Sequence, residues 1–318
     1  MSVFLNPAEG RLRAGWRLLL FGIGTLVAAL AAGWIRSLDA GSLYWRQAAA
    51  AAGGALLLAA AAWVQARWVD RRPFADFGLF RGPEWMGRFL FGLALGAILL
   101  GALFGVEWAA GWIRIKPPAA RVGAGADPAV LVAQLIQCAG IALVWELAFR
   151  GCVLRNLAEG FRSEQTGPDR AVVLAWLASA GIVGVFQFLE EFTTPLGILN
   201  AAVAALVGGV AVVWTRSLAL PLGFAIAWRF VQGPVLGFPD RGSHAGNTVM
   251  DIALGGPVVL AGGTYGPEGG LLATLALALG ALGFWCWIRW RDGSVKVQAA
   301  LSEYHGQPGE GRRSVVPE

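Results

Sequence analysis

Few residues in this chain could do chemistry, and those few sit where a carboxylate or guanidinium is costly. Glu146 and Arg150 lie four apart in VWELAFRG, near the end of an apolar run. On a helix that spacing places them on one face, where they form an ion bridge or a paired site with equal ease. Glu190 and Glu191 close a second run, in GVFQFLEEF. Adjacent carboxylates there fit a solvated helix end better than a site. Arg229, in AIAWRFVQG, stands inside a third run. Its readings are snorkelling to the interface, pairing with a glutamate, or contact with lipid headgroups. The chain has two histidines, His244 and His305, both outside the apolar runs. Cys138, Cys152 and Cys286 show no CxxC or zinc spacing and read as small buried hydrophobes.

The runs that must position these groups are long. Apolar residues make up 57% of the chain and charged residues 14%, with mean hydropathy +0.61. A soluble domain carries roughly 25% charged residues, so this chain lacks the polar surface that water requires. Crossing a bilayer takes about 20 apolar residues. Eight segments qualify: 16–35, 47–66, 86–109, 130–149, 171–189, 196–214, 218–235 and 269–288. The seventh is the weakest, because it holds Pro221, Arg229 and Pro234. Trp16, Trp34, Trp45, Trp68, Trp85, Trp112, Trp214 and Trp290 fall near the ends of these runs, as interfacial indoles do. The expected fold class is therefore all-α, a polytopic transmembrane bundle of about eight spans.

Net charge is +5, and the basic residues lie between runs, which points to topology and lipid headgroups rather than nucleic acid. The positive-inside rule divides the 25 Lys and Arg residues into 18 on one side and 7 on the other. This predicts both termini in the cytoplasm and an even number of spans, in the plasma membrane. The first run is too long for a cleaved signal and reads as a retained anchor. A membrane domain over 1–290 is expected to precede a polar, disordered tail over 291–318. The Gly/Pro-rich stretch 233–268 suggests a capping or re-entrant piece. Ala205 and Gly209, with Gly208 beside them, form a small-residue pair suited to close helix approach.

At these positions the chain resembles the CAAX protease and bacteriocin-processing (CPBP) intramembrane proteases, which include type II CAAX prenyl endopeptidases. The resemblance rests on ELAFRG at 146–151, the segment around Phe186, TRSLALPLGFAIAWRFVQGPVLGFP at 215–239 and GPVVLAGGTYGPEGGLLATL at 256–275. Core motifs thus span 130–275. The family carries E-E-x-x-x-R, F-x-x-x-H and H-x-x-x-N/D on successive helices, which implies a peptidase whose glutamate and histidine activate water, with a zinc or other divalent metal. The chain keeps Glu146, Arg150 and Phe186. It places Trp145, Glu190, Ala225 and Arg229 where the resemblance puts the first glutamate, the two histidines and the asparagine.

Three functional readings follow. The first is a degenerate, non-cutting member that binds membrane peptides or partner proteins, with an internal Glu190–Arg229 ion pair plugging the old site. It needs no cofactor. The second is a working endopeptidase rebuilt on Glu146 and Glu190, with His244 brought in by its loop, the three forming a weak metal-ligand set. The third is a transporter or lipid-binding protein, which intramembrane charges permit.

Overall fold

The computed structural model describes residues 4–6, 9–39, 41–80, 82–117, 126–190 and 192–304. Glu191, His305 and the far tail, among the residues named above, lie outside these ranges.

A short hairpin, β1 (Leu5–Asn6) and β2 (Arg11–Leu12), leads into α1 (Ala14–Ser37) and α2 (Leu43–Val64). Next come α3 (Pro83–Ala109), β3 (Ile113–Ile115) and α4 (Pro128–Trp145). A π-helical stretch, Glu146–Val153, joins α4 to α5 (Leu154–Phe161). The chain continues through α6 (Pro168–Gln187), α7 (Pro195–Thr215), α8 (Ala219–Phe230), β4 (Ile252–Leu254), α9 (Val258–Ala261) and α10 (Leu271–Asp292). Sequence sets the helix starts: Pro128 and Pro195 occupy first turns, where a missing N–H costs nothing. Asp127 and Thr194 cap those helices, accepting from the N–H groups of Ala129 and Gly197 at 2.8 and 2.9 Å.

Seven helical segments among the described residues are long and apolar enough to span a membrane. They expose large apolar side chains outward, such as Leu30, Leu56 and Ile98, which suits lipid as the surrounding solvent. The eighth expected span is different. α8 has twelve residues, nine of them buried, and a π turn, Val231–Val235, extends it around Pro234. Proline removes a helical hydrogen bond, which accounts for the wider turn. α8 seats against α3 through glycine. A Cβ on Gly223 would lie 2.2 Å from the Phe89 carbonyl, and one on Gly92 would lie 2.3 Å from the Leu220 carbonyl.

Cross-links show that α8 still traverses the bundle. On one face Leu218 N–H donates to Gly78 O (3.0 Å), Arg88 pairs with Asp292 (2.9 Å) and Tyr304 Oη donates to Arg71 O (3.1 Å). On the other face β3 pairs antiparallel with β4, Lys116 pairs with Asp251 (2.9 Å) and Asp127 N–H donates to Asn247 Oδ1 (2.9 Å). Among the described residues the chain thus passes eight times between two faces, and α8 is a pass wrapped in protein.

The first face is closed by a buried charge network. Glu159 receives Arg11 at 2.8 Å, Arg17 at 2.9 Å and Arg72 more closely still. Asp70 lies 3.7 Å from Arg17 and 3.6 Å from Arg72. The network ties the N-terminal hairpin, α1, the segment after α2 and α5 together. The expected disordered tail is corrected here for residues 293–304. Leu301 is buried, Gln298 N–H donates to Val213 O (3.0 Å), and its side-chain amide donates to Trp214 O (3.2 Å).

Candidate functional site

A cavity of about 120 Å³ lies inside the bundle between α4, α6, α7, α8 and α10. Glu146, the first residue after α4, is buried in its wall. One carboxylate oxygen lies 3.2 Å from Arg150 Nη1, while Oε2 has no hydrogen-bond partner. The i, i+4 bridge read from the sequence is therefore present. Arg150 fits because α7 turns Gly208 toward it: a Cβ there would lie 3.0 Å from Nη2. The guanidinium also donates to Ala204 O at 3.4 Å. Gly209 serves a neighbouring contact, for its Cβ position lies 2.5 Å from the Trp176 ring. The small-residue stretch on α7 thus admits one guanidinium and one indole.

Trp145 and Ala225 both line the cavity. Trp145 stacks on Phe149 with ring centroids 5.1 Å apart, and Phe149 meets Phe186 edge-on at 5.8 Å. A run of aromatic contacts therefore leads from Trp145 in the cavity wall to the exposed Phe186 on α6.

The expected Glu190–Arg229 plug is not formed. Glu190 lies in the exposed turn after α6, with Oε1 3.7 Å from Arg241 Nη1, and it does not line the cavity. Arg229 does line it, and its Nη1 lies 3.7 Å from Asp240 Oδ2. Arg241 lies within 4.0 Å of Asp240 and 3.7 Å of Glu268 as well. The two residues belong to one relay at the cavity mouth, Glu190–Arg241–Asp240–Arg229. Sequence adjacency within the spans could not reveal it, because Asp240, Arg241 and Glu268 come from the loop region.

The same region supplies the roof. Asn200 Nδ2 donates to the carbonyls of Glu268 (2.8 Å) and Gly270 (2.9 Å), and Thr274 Oγ1 donates to Asn200 Oδ1 (2.6 Å). Burial, with Asp240 adding to it, pushes the Glu268 carboxyl above its ordinary range, against Arg241 and Arg229. For Arg241, burial works against the charge, but Glu268 and Asp240 outweigh it and hold the guanidinium protonated more firmly than usual. Burial pushes the Tyr265 phenol up to about 12. Gln187, Asn200, Arg241 and Glu268 are cavity residues that sequence reading did not single out. The glycines around Glu268 were the one available signal.

His244 is exposed and lines a different cavity. Glu146, Glu190 and His244 are therefore not gathered as a ligand set. Among the described residues no group of three or more His, Cys, Asp or Glu side chains could hold a metal ion. The cavity's carboxylates, Glu146 and Glu268, each face a guanidinium. That donor set does not fit a divalent cation.

Residues 127–231 match the family model of type II CAAX prenyl endopeptidase Rce1-like proteins. The matched segment runs from the α4 cap to the end of α8, and it holds Trp145, Glu146, Arg150, Phe186, Glu190, Ala225 and Arg229. Over that segment, about a third of its length, the chain is similar to this family. No curated protein and no solved structure matches it.

Proposed function

We propose that the protein is a catalytically degenerate member of its family, which binds membrane peptides or partner proteins without cutting them. One observation carries the reading. Three of the four residues standing at the resemblance's chemical positions, Trp145, Ala225 and Arg229, line the cavity together with Glu146, and among the described residues no histidine joins them. An indole has no base with which to activate water, and a methyl group cannot donate to an oxyanion. Arg150 holds one oxygen of the glutamate that remains. The protein sits in the plasma membrane with both termini in the cytoplasm, the more basic face being the inner one.

A second reading draws on one observation, that Glu146, which lines the cavity, leaves its Oε2 without a hydrogen-bond partner. In that reading Glu146 is the base of a rebuilt endopeptidase. Its proposed partner Glu190 would have to swing in from the Arg241 contact.

Mass spectrometry of new peptide termini in the membrane fraction separates the two. Wild type, Glu146→Gln/Glu190→Gln, and Trp145→Glu/Glu190→His/Ala225→His/Arg229→Asn are compared in a host lacking related proteases. Degeneracy predicts no termini that depend on the wild-type glutamates. Termini made by wild type and lost in the double glutamine variant sink it.

A further inference from the structure

A second cavity, of about 340 Å³, opens on the face opposite the Glu159 network. Small-molecule sites occupy roughly 300–1,000 Å³ and hold a few converging polar groups in an apolar frame. Here the polar groups come from four places. Gln47 lies on α2, Gln134 and Gln137 on α4, Arg229 on α8, and Asp240 on the following loop.

Two of these groups carry acceptor atoms shielded from solvent with no hydrogen-bond partner, Gln134 Oε1 and Asp240 Oδ1, the latter with only Arg241 Nε near it at 4.0 Å. Gln134 is only 4% exposed. A shielded acceptor is better satisfied than left unmade, so the site favours a ligand that brings donors. The amide end of Gln134 is already committed, donating to Ala245 O at 3.1 Å. That bond leaves the amide oxygen as the open acceptor and ties the 243–246 loop to α4. Asp127 N–H, bonded to Asn247 Oδ1, anchors the same loop from its other end. Arg229 provides a donor among the acceptors, and its link to Asp240 at 3.7 Å is loose enough to be shared.

A vicinal diol matches this set, because each hydroxyl both donates and accepts. Its donors would satisfy Gln134 and Asp240 while its oxygens receive Arg229 and the remaining amides. A choline group has no donor to give. An ethanolammonium gives donors but no acceptors of its own, and the phosphate that could receive Arg229 is common to all three headgroups. The cavity rim carries exposed Leu43, beside exposed Trp45, Leu135 and Ile136, so an acyl chain can continue outward from the polar pocket.

We propose that this cavity binds a hydroxyl-rich group, glycerol or sugar, carried by a lipid headgroup or by a soluble polyol phosphate. The site is independent of the inner cavity's function and shares only Arg229 with it.

The test uses the full chain in phosphatidylcholine nanodiscs and short-chain fluorescent lipids. Phosphatidylglycerol is expected to bind about tenfold tighter than phosphatidylcholine or phosphatidylethanolamine, a difference of about 1.4 kcal/mol. Gln134→Leu and, as a second variant in case the first misfolds, Gln137→Leu should abolish the preference. Gln187→Leu, in the inner cavity, should leave it intact. Competition by glycerol 3-phosphate would support the polyol site with a soluble source. Lack of competition with the preference retained would support it with a lipid source. Equal binding of the three lipids, or a preference that survives both α4 variants, overturns the proposal.

Discussion

Arg150 occupies the space that a side chain at Gly208 would fill, its Nη2 lying 3.0 Å from the position of the missing Cβ. This absence lets a guanidinium stand inside the bundle at 3.2 Å from Glu146. Gly208→Val should therefore push Arg150 off its carboxylate. Overpacking costs about 1–3 kcal/mol, and breaking a buried ion pair adds about 3–5 kcal/mol. Thermal unfolding in detergent is expected to fall sharply for Gly208→Val. An unchanged midpoint would show that Arg150 has another resting place.

Glu159 is the hub of the opposite problem, one carboxylate holding Arg11, Arg17 and Arg72 in the dry. Glu159→Gln removes the charge and keeps the shape. Three guanidinium groups then share Asp70 and the outer Glu9, and the expected loss is about 3–5 kcal/mol. Limited proteolysis should show the N-terminal hairpin released, since Arg11 ties it down. A variant as protease-resistant as wild type contradicts the clamp.

The two cavity arginines should differ. Arg150 is 8% exposed with a 3.2 Å partner, while Arg229 has a longer 3.7 Å link to a half-exposed Asp240. Arg229→Ala should cost no more than about 1 kcal/mol, and Arg150→Ala several times that. Paired melts in one detergent decide it. A larger loss for Arg229→Ala would mean that its relay through Asp240 and Arg241 matters more than its geometry suggests.

Glu268 gives the mouth a pH dependence. Its folded carboxyl is raised by burial above the roughly 4.3 of a free glutamate. The fold therefore holds the proton more tightly than the unfolded chain does. Its stabilising contribution is complete below about pH 4.3 and is lost as pH rises through the folded value. Melts from pH 4.5 toward neutral should decline for wild type relative to Glu268→Gln. Parallel curves would remove Glu268 as the cause.

The spans were legible because lipid demands uninterrupted apolar runs, and the Glu146–Arg150 pair because helical spacing alone determines it. The mouth was not. Asp240, Arg241 and Glu268 gain meaning only when the 233–270 loops fold over the cavity, and nothing local in the sequence sends Arg229 to Asp240 rather than Glu190. The ordered segment 293–304 was missed for a related reason. Its few apolar residues, Leu301 foremost, dock in a pocket that other helices build.

α8 shows how a doubtful span becomes a central one. Its glycine at 223 nests against the α3 backbone at Phe89, while Gly92 and Gly96 of α3 nest against Leu220 and Phe224. The contact is reciprocal, so neither helix can yield without the other. A methyl group at Gly223 would lie 2.2 Å from the Phe89 carbonyl, far inside van der Waals range, and backbone has no rotamer with which to escape. Gly223→Ala is expected to lower stability by about 3 kcal/mol or more, and to shift Ala225 and Arg229 where they line the cavity. Gly101→Ala is the matched control, since nothing lies within 4 Å of its Cβ position on the same α3. A Gly223→Ala variant melting with the Gly101→Ala control would mean that α3 and α8 are not locked, and that α8 can move.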